Sequence, residues 1–239
     1  VTSDARPDAE AHEHAHADVS GGWLRAAVFG AMDGLVTNTA FVAGVGGGGA
    51  APRAIVLAGV ASLVAGAISM ALGEYTSVKT QNEQLDLEVE KERQELQRNP
   101  EGELAELTEM LSARGVEDEL AREVAVQLSR DPESALRLHI VAELGLSPED
   151  KPLPRVAAVS SFITFATGAV IPLLPYLFGF SVLWVALVCG GIGLFVAGAL
   201  TSRFTPRPWW YAGLRQLLFG AVAAGVTYVV GSAIGVAVS

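Results

Sequence analysis

Five apolar runs of bilayer length constrain this chain more than any other feature. They cover residues 23–46, 54–78, 156–178, 180–200 and 211–238. About 20 helical residues cross a hydrocarbon layer of about 30 Å. A core helix of a water-soluble domain would keep one polar face at period 3.6. These runs lack such a face, and the last two are apolar all round. The sequence therefore reads as an all-α membrane protein with five transmembrane helices. Gly179 supplies the turn between the third and fourth, and Pro172 and Pro175 predict a kink in the third.

The charges fall between the second and third runs. Residues 81–154 hold 19 of the 26 acidic residues and only 8 of the 16 basic ones. The net charge of −10 thus belongs to an acidic insert, and the chain divides into four parts. Residues 1–22 are a disordered tail carrying His12, His14 and His16. Residues 23–79 are helices 1 and 2, residues 80–154 an acidic helical domain, and residues 155–239 helices 3 to 5. The acidity argues against a nucleic-acid partner, since nothing would neutralise phosphates. A single cysteine excludes a disulfide scaffold. No secretory signal is expected, because the polar start leads into a run of spanning length without a cleavage site.

Basic residues set the orientation. With the N-terminus in the cytoplasm, Arg6, Arg25, Arg155, Arg203, Arg207, Arg215 and the whole insert lie inside, and only Arg53 lies outside. The insert is then a cytoplasmic domain. Its first helix continues from segment 2 to about residue 98 and stops before Asn99-Pro100. Further helices are expected over 102–114 and 116–129. A last one has Asp131 as cap, Pro132 at its first position and Gly145 just past its end. Leu104, Leu107, Met110, Leu111, Leu120, Val124, Leu128, Leu136, Ile140 and Leu144 recur at helical spacing and are expected to pack together.

Three polar or soft groups interrupt the first two spans. Asp33 lies about ten residues into segment 1, ~15 Å deep at ~1.5 Å per residue. Met70 lies at a similar depth on the returning segment. Glu74 is one turn nearer the insert, on Met70's face. An ionisable residue at such depth is a functional candidate by default. Carboxylates accept divalent cations, and a thioether favours iron-like metals over Mg²⁺ or Ca²⁺. A plainer reading makes Glu74 a solvated helix end and Met70 ordinary packing.

In the insert, Glu92 and Glu95 are three apart, as are Glu103 and Glu106 on the next helix. Residues at that spacing share a face. The two pairs can converge across the Asn99–Gly102 reversal, with His139 and Glu143 closing the site. Carboxylates plus an imidazole suit Fe²⁺, Mn²⁺ or Zn²⁺. So acidic a segment also makes such pairs by chance, which leaves a solvated stripe as the alternative. The chain has no Walker loop, dinucleotide fingerprint or nucleophile elbow, so an enzyme is not expected and no cofactor is implied.

Three strings carry a family resemblance: FGAMDGLVTN at 29–38, AGAISMALGEYTSV at 65–78 and SFITFATGAVIPLLPYLF at 161–178. They resemble the vacuolar iron transporter family from about residue 24 to the C-terminus. The resemblance implies a homodimer with its path at the two-fold interface, exchanging Fe²⁺ for protons out of the cytoplasm. It matches Asp33 and Met70 to the family's mid-membrane pair and Glu74 to the glutamate on the same helix. Glu92, Glu95, Glu103, Glu106 and Glu143 match carboxylates of its metal-binding domain. His139 stands where a plant relative would carry Met.

The expected function is therefore a proton-coupled transporter of Fe²⁺ in the lipid bilayer, with Mn²⁺, Zn²⁺ and Co²⁺ as further candidate cargo. A membrane-anchored metal sensor or buffer without transport is the alternative. An Arg-to-Lys ratio of 13 to 3 suggests a GC-rich bacterium, hence a plasma membrane. In a eukaryote the membrane would be vacuolar.

Overall fold

The computed structural model describes residues 22–145 and 151–238. The candidate tail histidines His12, His14 and His16 lie outside them. The elements run α1 (Gly22–Gly47), α2 (Pro52–Arg98), α3 (Pro100–Ala113), α4 (Asp118–Leu128), α5 (Pro132–Leu144), α6 (Pro154–Val170), α7 (Leu174–Leu177), α8 (Leu183–Thr201) and α9 (Trp209–Val238). A 3₁₀ turn at Ile171–Leu173 joins α6 to α7. Among the described residues five stretches are long and apolar enough to cross a membrane: α1, the first part of α2, α6 through α7, α8 and α9. The described residues contain no strand.

Local chemistry explains the boundaries. The 3₁₀ turn begins where Pro172 removes an N–H from the ladder, so the α-helical hydrogen bonding of segment 3 is interrupted there. Gly179 has φ +88°, and its N–H and that of Phe180 close the turn onto the Tyr176 and Pro175 carbonyls. Gly145 ends α5 at φ +64°, the left-handed position that glycine fills without strain. The α2 helix is continuous for 47 residues, which joins a membrane span to the insert with no break.

α1 sits at the centre, packed against α2, α6, α8 and α9. Small residues permit this approach. A Cβ on Gly34 would lie 2.2 Å from the Phe165 carbonyl oxygen, and one on Gly231 would lie 1.9 Å from that of Gly44. Gly30 and Gly34 thus lie where α1 crosses α6, and Gly231 and Gly235 where α9 crosses α1. Gly73, by contrast, has open space where its side chain would be. Val42, Ile55, Leu173, Tyr176 and Ala186 form the largest buried cluster. Outward faces stay apolar: Leu214, Leu218, Val222, Val226 and Val229 of α9 are exposed, as are Leu57, Val60, Val64, Ile68 and Leu72 along one stripe of α2.

In the insert, Leu85 of α2 packs with Leu136 and Ile140 of α5, flanked by Val89 and Leu96. Leu107 of α3 is buried as expected, but Leu120 is not: it is 52% exposed. The buried face of α4 is Ala121 and Ala125. Their small side chains suit the close contact α4 makes with α3, and Leu120 is turned away by one position.

Candidate metal sites

The first site is built by a reversal at Asn99. Its backbone N–H bonds the Glu95 carbonyl and ends α2. Its side-chain oxygen accepts the Gly102 N–H and starts α3, with Pro100 in the first turn. One residue thus caps two helices and folds α3 back along the end of α2. A Cβ on Gly102 would strike the Asn99 amide at 2.1 Å, so a larger residue there would displace the capping side chain. α5 then docks on α2 through the Leu85 cluster and through an Arg93–Glu133 ion pair of 2.5 Å.

This packing brings Glu92, Glu103 and His139 together. Each offers a ligand atom, all within 4.8 Å of one another. His139 is fully buried. Its Nδ1 lies 3.2 Å from Glu92 Oε1, 3.5 Å from Glu103 Oε2 and 3.7 Å from Glu143 Oε1. Yet neither ring nitrogen, nor Glu92 Oε1, nor Glu103 Oε2, makes a hydrogen bond. Buried polar atoms are ordinarily satisfied, and leaving one bare costs about 1–3 kcal/mol. A cation among them would satisfy Glu92 Oε1, Glu103 Oε2 and one ring nitrogen of His139, and would leave the other nitrogen without a partner. Ligands about 2.0–2.2 Å from a metal stand about 3–3.5 Å apart, close to the distances found.

The electrostatics agree. Burial, then the charges of Glu143, Glu103 and Glu95, push the Glu92 carboxyl up to about 7. Burial also raises Glu103. Carboxylates this crowded repel one another unless a proton or cation sits among them. Glu95 and Glu106 are not brought into the cluster. Both are exposed and act on Glu92 and Glu103 only through their charge.

The second site is a groove in the membrane half. Arg25, Phe29, Asp33 and Thr37 recur at four-residue steps, so they share a face of α1. Across from it, α2 presents Gly66, Ser69, Met70, Gly73 and Glu74. With Phe165 of α6 at its floor, Phe29, Asp33 and Thr37 line with these an open groove of about 350 Å³. Asp33, Met70 and Glu74 therefore face one space. The Thr37 hydroxyl donates to Asp33 Oδ1 at 3.0 Å, which orients that carboxylate. Glu74 is 7% exposed and takes a 2.7 Å ion pair from Arg25 Nη2. Asn38, one residue past Thr37, donates its amide to the Ala169 carbonyl and ties α1 to α6 below the groove.

Sequence reasoning missed Thr37, Ser69 and Arg25. The four-residue spacing from Arg25 through Thr37 was the available signal.

The family model for the VIT family matches residues 24–232. The chain is 37% identical over 234 residues to a vacuolar iron transporter of Acanthamoeba castellanii, covering 94% of this chain and 84% of that one. It is 33% identical over 224 residues to vacuolar iron transporter 1 of Eucalyptus grandis, covering 91% and 88%. It is 31% identical over 211 residues to vacuolar iron transporter 1 of Arabidopsis thaliana, covering 86% and 83%.

Proposed function

From the premise that this chain belongs to the VIT family, we propose that it exports Fe²⁺ from the cytoplasm in exchange for protons, with Mn²⁺ as second cargo. The observation that carries this reading is the buried His139 with both nitrogens unpartnered among Glu92, Glu103 and Glu143. One unbroken helix connects that cluster to the groove of Asp33, Met70 and Glu74. The insert collects the cation from solution, and its negative charge raises the local concentration. Glu95 and Glu106 contribute to that field from the surface. Glu74 receives the cation next, and Asp33 with Met70 carries it across the middle of the bilayer. Protons entering from the far side take the place of the departing metal at Asp33.

The N-terminus and insert are cytoplasmic in this reading, because only Arg53 among the basic residues falls on the other side. A second copy completes the path. The groove is open beside the exposed apolar stripe of α2, and a partner laid on that stripe shields Asp33 from lipid. The reaction is transport, with no bond made or broken in a substrate.

The test is anaerobic Fe²⁺ uptake into proteoliposomes by the parent and by Asp33→Ala. We expect flux from the parent and at least a ~100-fold loss in the variant, with the insert still binding metal; ~100-fold corresponds to about 2.7 kcal/mol at the barrier. Equal rates would overturn the route. Binding without flux by the parent would make the chain a buffer or sensor.

A further inference from the structure

Glu74 and Arg25 differ sharply in access to water. The glutamate is 7% exposed, whereas its partner is 60% exposed. Oε2 of Glu74 accepts from Arg25 Nη2 at 2.7 Å, on the side of the groove nearest the insert. Arg25 stands eight residues before Asp33, or ~12 Å along α1. A cation coming from the insert reaches Glu74 first, where a guanidinium already occupies the oxygen it needs.

We propose that Arg25 is a tethered counter-cation that competes with the transported metal for Glu74, leaving when the metal arrives and returning when it moves on. This rests on the transport reading above. The asymmetry of exposure decides which partner moves. Glu74 is nearly buried, and a buried carboxylate without a partner is strongly disfavoured. Arg25 can swing its head into solvent or headgroups at little cost, since its long side chain already lies mostly outside. A divalent cation and a guanidinium cannot share one carboxylate oxygen without repulsion. Each transport step then exchanges one positive partner for another, and Glu74 is never left bare. Arg25 is a positioning residue here: it sets how tightly the entrance holds the metal and helps expel it onward.

The experiment is anaerobic Fe²⁺ uptake by proteoliposomes across a range of Fe²⁺ concentrations, for the parent, Arg25→Gln and Arg25→Lys. Removing the competitor should lower KM by about tenfold, the worth of one charge-assisted hydrogen bond. It should lower the maximal rate as well, because release from Glu74 is no longer assisted. Arg25→Lys keeps the charge with a weaker contact, and its KM should fall between the other two. In a Glu74→Gln background, Arg25→Gln should leave KM unchanged. An ion pair that only holds α1 to α2 would change the amount of folded transporter and its maximal rate but leave KM alone; that result overturns the inference. If Arg25→Gln does not fold, a KM for Arg25→Lys at or above the parent's overturns it equally. A parent that carries no Fe²⁺ overturns the transport reading itself, and this inference with it.

Discussion

The crowded carboxylates of the insert make a prediction with two opposite signs. In Glu92→Gln one charge is removed from the cluster around His139. The Glu92 carboxyl ionises near 4.5 when unstructured and is pushed up to about 7 in place, a difference worth at most about 3 kcal/mol before screening by water reduces it. Between those values the folded insert holds a proton that the opened insert has released. Stability without metal therefore falls as pH rises from about 4.5 to about 7, and the loss is complete above that. The variant has no such group. In metal-free protein at pH 8, we expect amides of residues 132–144 to exchange up to ~100-fold more slowly in Glu92→Gln than in the parent, the equivalent of about 3 kcal/mol of local opening. At pH 5 the gap should shrink to a few-fold, because the parent carboxyl is then protonated. Adding Mn²⁺ at pH 8 should reverse the order, since the parent gains a ligated cation and the variant has lost a ligand. Hydrogen exchange read by mass spectrometry on the full chain in detergent measures all three. Exchange in the metal-free variant at pH 8 as fast as in the parent would refute the reasoning.

Three further outcomes are expected. Gly73→Leu places a side chain in the groove without meeting any neighbour within 4 Å at its Cβ. It should block Fe²⁺ flux while leaving the melting temperature within about 2 °C of the parent, as for a substitution away from any packed feature. Gly34→Ala drives a methyl group to 2.2 Å from the Phe165 carbonyl oxygen. The α1–α6 crossing must open, and a loss of about 1–3 kcal/mol in stability should appear in a detergent melt. Glu95→Gln and Glu106→Gln remove exposed charges and should each weaken Mn²⁺ binding less than about threefold, as outer charges do. Glu92→Gln or Glu103→Gln should weaken it more than about tenfold, as loss of a charge-assisted ligand does; titration calorimetry with Mn²⁺ on the full chain in detergent measures all four.

The parts of the fold visible in the sequence are those set by local chemistry. Spanning length located the five spans. Asn99-Pro100 marked the break after α2, Asp131-Pro132 and Gly145 bracketed α5, and Pro172 marked the interruption of segment 3. Depth along an antiparallel pair placed Asp33 level with Met70, and both line one groove. What stayed hidden depends on how helices are rotated against one another. Sequence spacing could not say that α4 buries Ala121 and Ala125 in place of Leu120. Nor could it show that Arg25 reaches Glu74 across two helices 49 residues apart. The paired glutamates illustrate the same point. Residues three apart differ by about 60° around a helix and by about 4.5 Å along it. When Glu92 and Glu103 turn toward His139, Glu95 and Glu106 are carried out to the surface.

The most direct test of the path from the insert to the groove follows both ions in one vesicle. Proteoliposomes loaded at acidic pH, carrying a luminal pH dye and a luminal Fe²⁺ indicator, are given external Fe²⁺ without oxygen. We expect the Fe²⁺ signal and the luminal pH to rise together, and both to stop in Asp33→Ala. Luminal pH that stays constant while Fe²⁺ enters, or entry that persists in Asp33→Ala, would contradict exchange through Asp33.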